Sequence, residues 1–358
     1  MPYKYFFSPQ PTTQTKNEFI DHFYDTLARN VVVINYGKKA ISRSVDYFRY
    51  SFRTNVMILN WPEDIIHLRF GIIQLFFSFF VLAFFKLKGG KIVWICHNKE
   101  SHKKNYKLLR NMTRSFYTKI SDLIVVLSSD ALNHFSKVKE KVYFLNHPVY
   151  MTPGLIEKHN NEEQTDVLIW GNISPYKGLS EFIESYRSHN NIFKVKIIGH
   201  SEKAYLKILT EKATGLNIEI VDRFLSKEEL VHQFENSKII LLPYKNIDTF
   251  SSGALVHSLC SNKIIIGPAI GNFIDLKQVN ACLVYNSYPQ LFILINSLLN
   301  NKYYYDEELE KLRKGILQYY NNNTWENFVR QLVSLVTKNN QKNFINKKYT
   351  KSLISKLV

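Results

Sequence analysis

The 358-residue sequence contains only three cysteines and no recognisable export segment. Cys96, Cys260 and Cys282 lie in or beside apolar segments, and their spacing matches neither a disulfide framework nor a cysteine metal site. We therefore expect buried, reduced thiols, which suits a reducing cytoplasm. Residues 1–11 lack both a long apolar run and a small-residue cleavage site, so a secretory signal is not predicted.

The apolar run over 70–85 is shorter than a transmembrane helix requires. It is interrupted only by Gln74 and Ser78, and Lys86 and Lys88 follow it at once. A spanning helix needs about 20 apolar residues. We predict a helix that packs on a sheet and keeps some aromatic and lysine side chains exposed to a membrane interface.

Acidic residues are scarce in the first half of the chain. Residues 1–150 contain 22 Lys and Arg against 10 Asp and Glu, whereas 151–358 contain 25 against 20. Between Lys86 and Lys119, ten basic residues accompany a single acid, Glu100. Nucleic acid, an anionic membrane surface and a solvated face without a partner would each explain this basic face. No helix-turn-helix or RNA-binding aromatic pattern is present, which disfavours nucleic acid.

Apolar strand segments alternate with helical segments along the chain. We predict strands over 3–8, 31–35, 55–60, 91–96, 123–127, 141–145, 166–170, 194–199, 217–221, 238–242, 263–266 and 282–285. This alternation predicts an α/β protein with two parallel sheets and a ligand cleft at the carboxyl ends of the strands. We expect an N-terminal domain over 1–150, a linker over 151–165, a C-terminal domain over 166–325, and a closing helix with a basic tail over 326–358.

Two glycine-containing segments follow strands of the second half. GNISPYKG (171–178) follows a strand and places Lys177 at a predicted helix start. The helix dipole disfavours a cation at this position, so a lysine there favours a functional role. The second segment, PYKNIDTFSSGALVHSLCSNKIIIGPAIGNFIDL (243–276), contains Ser251, Ser252 and Gly253 at the start of another predicted helix. Unpaired N–H groups at helix starts suit a phosphate. We interpret the segments as two halves of a site for the diphosphate of a sugar nucleotide, formed by Gly171, Asn172, Lys177, Ser251, Ser252 and Gly253.

These segments resemble those of the GT-B glycosyltransferases, and in particular the retaining family numbered four and its relatives in bacterial surface-polysaccharide synthesis. GNISPYKG is similar to the family's phosphate loop, 223–244 to the segment leading into the donor site, and NTWE (323–326) to the start of the closing helix. The resemblance covers most of the chain. It implies two Rossmann-like domains facing each other across a cleft, and transfer of a hexose-type sugar from a nucleotide diphosphate.

The sequence departs from the family pattern at two places. The residue after the first loop glycine is usually basic, but here it is Asn172, which leaves Lys177 as the only cation of the loop. Relatives also carry two glutamates eight positions apart around the donor helix, whereas Thr249 and His257 align there. We keep Thr249 and His257 as donor-side candidates. The ribose hydroxyls must therefore be bound by other groups than in these relatives. Both retention and inversion of anomeric configuration stay open.

The chain contains no Asp-x-Asp pair, so we expect catalysis without a metal or other cofactor. Lys177 and the N–H groups of 251–253 would then stabilise the leaving diphosphate. His97 and Glu63, the latter beside Asp64, follow strands and are candidate bases for the acceptor hydroxyl. A hydrogen-bonded structural histidine and a helix N-terminal acid pair remain the alternatives. Contacts to the sugar or acceptor are predicted for Asn98, His102, Gly271 and Asn272, with Asp275 and the pair Lys103 and Lys104 as further candidates.

The combined prediction is a cytoplasmic glycosyltransferase that is peripheral on the inner face of the cell membrane. Its expected partners are a nucleotide sugar, a lipid-linked capsular, exopolysaccharide or O-antigen glycan, and an anionic membrane surface contacted through 70–119. Two alternatives stay open. A sugar-nucleotide epimerase of the same fold would convert the donor without an acceptor, and the missing glutamates would suit a catalytically inactive donor-binding subunit.

Overall fold

The computed structural model describes residues 2–12, 17–99, 106–150, 165–245 and 250–338. Within these ranges, each half of the chain builds one six-stranded sheet, and every strand pair in both sheets is parallel. The predicted α/β architecture is confirmed.

Some sequence predictions lie outside the described residues. They are most of the linker 151–165, the tail beyond residue 338, and the site candidates His102, Lys103, Lys104 and Thr249.

The first sheet has the strand order β2-β1-β3-β4-β5-β6. Its strands are β1 Lys4–Ser8, β2 Val32–Val33, β3 Val56–Asn60, β4 Lys91–Cys96, β5 Leu123–Val126 and β6 Val142–Phe144. The helices around it are α1 Glu18–Asn30, α2 Arg43–Ser51, α3 Gly71–Leu87, α4 Lys107–Ile120 and α5 Ala131–His134, with 3₁₀ turns at Pro62–His67 and Ser136–Lys141.

The second sheet has the order β12-β11-β10-β7-β8-β9. Its strands are β7 Thr165–Trp170, β8 Val195–Gly199, β9 Ile218–Asp222, β10 Ser237–Leu241, β11 Ile264–Pro268 and β12 Leu283–Tyr285. Its helices are α6 Leu179–Ser188, α7 Lys203–Ala213, α8 Lys227–Glu235, α9 Gly253–Ser258, α10 Asn272–Gln278, α11 Tyr288–Asn300 and α12 Lys302–Asn322, with 3₁₀ turns at Pro175–Lys177 and Leu259–Ser261.

Both sheets are covered on two faces, which explains why their central strands are apolar without interruption. All five residues of β3 are buried, as are five of the six in β4. In the first half, α1 packs on one face, and α2, α3 and α4 pack on the other. In the second half, α6, α7, α11 and α12 oppose α8, α9 and α10.

The last described helix, α13 (325–338), leaves the second half and packs on the first. Trp325, Phe328, Val329 and Leu332 are buried in the same core as α1 and β3. The two halves are therefore joined both by the chain before β7 and by this returning helix.

Helix α3 is the long apolar segment identified in the sequence. Leu75, Val81, Leu82 and Phe85 face the core, as a helix packed on a sheet requires. Among the described residues, no helix has the length and apolar character needed to cross a membrane.

Candidate active site

A cleft of about 840 Å³ lies at the carboxyl ends of the strands of the first sheet. Its walls come from the segments after β1, β3 and β4, and Ser251 and Gly253 reach it from the second half of the chain. The site candidates Glu63, His97 and Asn98 also line it. The fold thus brings predicted groups from both halves into one cavity, at the sheet edge where parallel-sheet proteins bind ligands.

The two glycine-containing segments of the second half lie against each other. Gly178 has a φ of +69°, and a Cβ at this position would lie 2.3 Å from the Pro243 carbonyl oxygen, so only glycine fits. The Lys245 N–H donates to the Tyr176 carbonyl at 3.3 Å. The Tyr244 hydroxyl lies 2.9 Å from Ser252 Oγ, which ties the beginning of the second segment to the start of α9.

Lys177 is buried between these segments, with 5% of its surface exposed. Its Nζ donates to the Trp170 carbonyl at 3.2 Å and lies 5.7 Å from the centre of the Tyr244 ring. A Cβ at Gly171, whose φ is +93°, would lie 2.7 Å from this Nζ. No acidic group among the described residues pairs with it, and burial lowers the pKa of Lys177 to about 8. The neighbouring Asn172 is exposed.

At the start of α9, Ser252 and Ser251 have different environments. Ser252 is buried, and its Oγ accepts from the Leu255 N–H at 3.1 Å, so it acts as the helix cap. Ser251 lines the cleft instead. The N–H groups of Gly253 and Ala254 belong to the first turn, where the helix itself provides no acceptor.

Asn272 supports this turn with both ends of its side-chain amide. The side chain is 4% exposed, its Oδ1 accepts from the Ser252 N–H at 3.0 Å, and its Nδ2 donates to Ser251 Oγ at 3.4 Å. Asp275 is likewise occupied, because it accepts from the Ser129 N–H of the first half at 3.0 Å. Gly271 precedes α10 with a φ of +49°. In the structure, Asn272 and Asp275 thus position neighbouring backbone, and their contacts to the sugar stay predictions.

His97 is fixed by its neighbours on the cleft wall. Its ring stacks on Trp61 with centroids 3.7 Å apart, and its Nε2 lies 3.2 Å from Asn60 Oδ1. Because Asn60 Nδ2 donates to the Ser8 carbonyl, Oδ1 faces the imidazole, and Nε2 carries the proton. Burial holds the pKa of His97 well below its ordinary value, so the ring stays neutral.

Glu63 is a carboxylate of the cleft with a strongly raised pKa. It lies in the 3₁₀ turn after β3, and its Oε2 is shielded from solvent without a hydrogen-bond partner among the described residues. Burial, reinforced by the negative charge of Asp64, raises the pKa of Glu63 to about 7. A carboxylate with such a pKa exchanges protons readily at neutral pH.

His257 does not stand free for a ribose. Its Nε2 pairs with Glu18 Oε2 at 2.5 Å, and its ring stacks on Tyr150 at 4.9 Å. Lys227 binds the other oxygen of Glu18 at 2.7 Å. Glu18 opens α1, so this group joins the first half to α8 and α9 of the second half. In the structure, His257 therefore forms a contact between the two halves, and its contact to the donor stays a prediction.

Among the cleft residues that the sequence did not single out are two charged side chains of α2. Arg43 and Asp46 both lie on α2 and line the cleft. The Arg43 guanidinium donates to the Trp61 carbonyl at 2.6 Å, and Asp46 Oδ1 is buried without a partner among the described residues. In sequence they are ordinary helix residues, and their place in the cleft depends on how α2 packs.

The carboxylates of the cleft do not form a metal centre in the described part of the chain. There, no group of three or more His, Cys, Asp or Glu side chains is arranged to hold a metal ion.

Two Rossmann-like parallel sheets with a cleft between the two halves of the chain define the GT-B class of fold. The chain is similar in structure to HepE of Anabaena in complex with UDP and glucose, with a TM-score of 0.68 at 10% identity over 94% of this chain and 100% of that one. For sucrose-phosphate synthase of Thermosynechococcus elongatus the TM-score is 0.68 at 12% sequence identity, and the match covers 94% of this chain and 98% of that one. For TarM of S. aureus the TM-score is 0.58 at 14% sequence identity, and the match covers 78% of this chain and 54% of that one.

No protein-family model and no curated protein sequence matches this chain. The similarity to known glycosyltransferases is therefore one of fold, and the predicted GT-B fold is confirmed by it.

Proposed function

We propose that the protein is a glycosyltransferase that moves a sugar from a nucleoside diphosphate to an acceptor hydroxyl. The observation that carries this proposal is Lys177, a buried cation without a described acidic partner, beside the segment that delivers Ser251 and Gly253 to the cleft. Burying an unpaired charge is unfavourable, and an anionic ligand would offset that cost. Solved proteins of this fold bind UDP and UDP-glucose, which agrees with a diphosphate at this site.

The proposed reaction needs the diphosphate to leave with its bonding electrons. As the bond between the sugar C1 and the phosphate oxygen breaks, negative charge develops on that oxygen. The Lys177 ammonium and the N–H groups of Gly253 and Ala254 would stabilise it. We propose that this set of donors acts without a metal ion, in keeping with the lack of an Asp-x-Asp pair.

The acceptor hydroxyl must lose a proton as its oxygen forms the new bond to C1. We propose that Glu63 takes this proton, because Glu63 lines the cleft and its pKa of about 7 matches the task. His97 is less suited, since burial keeps its basicity low.

We propose that the acceptor is a growing, lipid-linked surface glycan at the inner face of the cell membrane. The mouth of the cleft includes Leu68, which is exposed and lies three residues before an apolar helix with an exposed outer face. An acceptor with a lipid carrier could therefore bring its sugar into the cleft from a membrane surface.

The test is a transfer assay with the purified protein, a panel of nucleotide sugars and a lipid-linked glycan acceptor. We expect release of a nucleoside diphosphate and elongation of the acceptor with one donor, and both at least about 10²-fold more slowly with Glu63→Gln. A new nucleotide sugar formed without acceptor would instead show an epimerase. Donor binding without any product would show an inactive subunit.

A further inference from the structure

The outer surface of α2 and α3 presents a cluster of aromatic side chains, named here the aromatic face. It comprises Phe48, Phe52, Phe76, Phe77, Phe80 and Phe84, all of them exposed. Ring contacts connect four of them across both helices: the ring centres of Phe48 and Phe77 are 6.0 Å apart, those of Phe52 and Phe84 5.8 Å, and those of Phe48 and Phe52 5.7 Å. Exposed apolar surfaces of this kind mark sites of interaction.

Helix α3 is apolar on both sides, although only one side packs in the core. Leu75, Leu82 and Phe85 fill the core side. On the outer side, Ile73 and Phe80 are each 70% exposed. A helix that is apolar all round is ordinarily buried on all sides, so the outer side lacks a partner in the described part of the chain.

The surroundings of the aromatic face are basic. The Lys88 ammonium lies 4.3 Å from the centre of the Phe52 ring, and the Arg69 guanidinium lies 5.0 Å from that of Phe70. Between Asp64 and Asp122, the sequence contains a single acid, Glu100. Aromatic side chains ringed by cations fit the boundary between acyl chains and anionic headgroups. A second copy on this face would instead bring two basic surfaces together.

We propose that the aromatic face inserts into the headgroup region of an anionic bilayer. Leu68 and Arg43, next to α3 and on α2, also line the cleft, so the bound membrane would lie beside the cleft mouth. This inference deepens the proposed function by naming the surface that meets the acceptor's membrane. Binding to a bilayer does not require transferase activity, so the two proposals can fail separately.

The experiment is co-sedimentation of the full chain with vesicles of phosphatidylglycerol and phosphatidylcholine, and with phosphatidylcholine alone. We expect binding to the anionic vesicles that weakens with salt and is weak on neutral ones. The variant Ile73→Asn/Phe80→Asn should bind at least about tenfold more weakly, because two exposed anchors lose their apolar surface.

The matched control is Ile192→Asn/Ile293→Asn, which removes two side chains that are 84% and 68% exposed in the second half. It should bind anionic vesicles as the wild type does. Melting temperature and nucleotide affinity should be unchanged in both double variants, which separates this inference from the proposed function. The proposal is overturned if the wild type ignores anionic vesicles, if the control loses binding equally, or if the wild type is a dimer that Ile73→Asn/Phe80→Asn dissociates.

Discussion

Lys177 is a buried cation, and its protonation should respond to a bound anion. Its charge is buried, its described hydrogen-bond partner is a carbonyl oxygen, and its pKa falls to about 8 because burial disfavours the ammonium form. A bound diphosphate would restore the ordinary pKa. Binding should then take up a proton above pH 8, and affinity should fall as the pH rises further.

The first prediction concerns Lys177→Met. Losing a charge-assisted hydrogen bond should weaken binding of a nucleoside diphosphate by about 1.5–3 kcal/mol, measured by isothermal titration calorimetry near pH 7. The same change should raise the melting temperature of the free protein, since it removes a buried charge. Lys245→Met is the control, because Lys245 lies nearby but is exposed and paired with Glu181. Equal affinities of wild type and Lys177→Met would exclude Lys177 from the site.

The second prediction is a bell-shaped dependence of kcat/KM on pH. Activity should rise through about pH 7 as Glu63 loses its proton and fall above about pH 8 as Lys177 loses its own. Glu63→Gln should lower kcat by about 10²–10⁴-fold, the usual contribution of a general base, and abolish the acidic limb. An acidic limb that persists in this variant would assign the base to another group.

The third prediction concerns the effect of the Glu63 carboxyl group on the stability of the folded protein. A raised pKa in the folded state means that Glu63 costs stability once it ionises, and this cost grows as the pH rises from 4.5 to about 7. Glu63→Gln, which mimics the protonated acid, should therefore melt higher than the wild type at pH 8 and equally at pH 4. Thermal unfolding at the two pH values measures this. A variant less stable at pH 8 would contradict the buried, unpaired carboxylate.

At the scale of elements, α1 is tied to α8 and α9 through Glu18. Its carboxylate binds both His257 and Lys227, and the hydrogen bond from His257 lowers the pKa of Glu18 to about 2. The contact therefore contributes stability above pH 4.5 and loses it as the pH falls toward 2.

The fourth prediction is that Glu18→Gln lowers the free energy of unfolding at pH 7 by about 1–2 kcal/mol. This is the contribution of a charge-assisted hydrogen bond, made smaller because the pair is partly exposed to solvent. Urea unfolding measures this change. Glu326→Gln serves as the control, because the pair of Glu326 with Arg29 is largely exposed and should contribute about 0–1 kcal/mol. If both variants lose the same stability, Glu18 is an ordinary surface ion pair.

Sequence patterns predicted the elements better than the contacts between them. All twelve expected strands form, with ends that differ by a few residues, because continuous apolar runs and turn residues are local signals. The partners of His257 and Asn272 could not be predicted in the same way. Glu18 is 239 residues from His257, and only the assembled fold brings them together.

For the whole molecule, the position of the cleft follows from chain topology. Groups that end parallel strands must gather at one edge of a sheet, so Glu63 and His97 could be expected in one place from sequence alone. Arg43 and Asp46 could not, because their approach to the cleft depends on how α2 packs. The return of α13 to the first half was anticipated only through the resemblance of NTWE to a known closing helix.

The central claim is that the cleft holds a nucleoside diphosphate. Its most direct test is a thermal-shift measurement of the purified protein with UDP, GDP, CMP, ADP and dTDP, since a ligand that binds only the native state raises the melting temperature. We predict a clear rise with one nucleotide, and loss of that rise in Lys177→Met. No shift with any of the five would contradict the account.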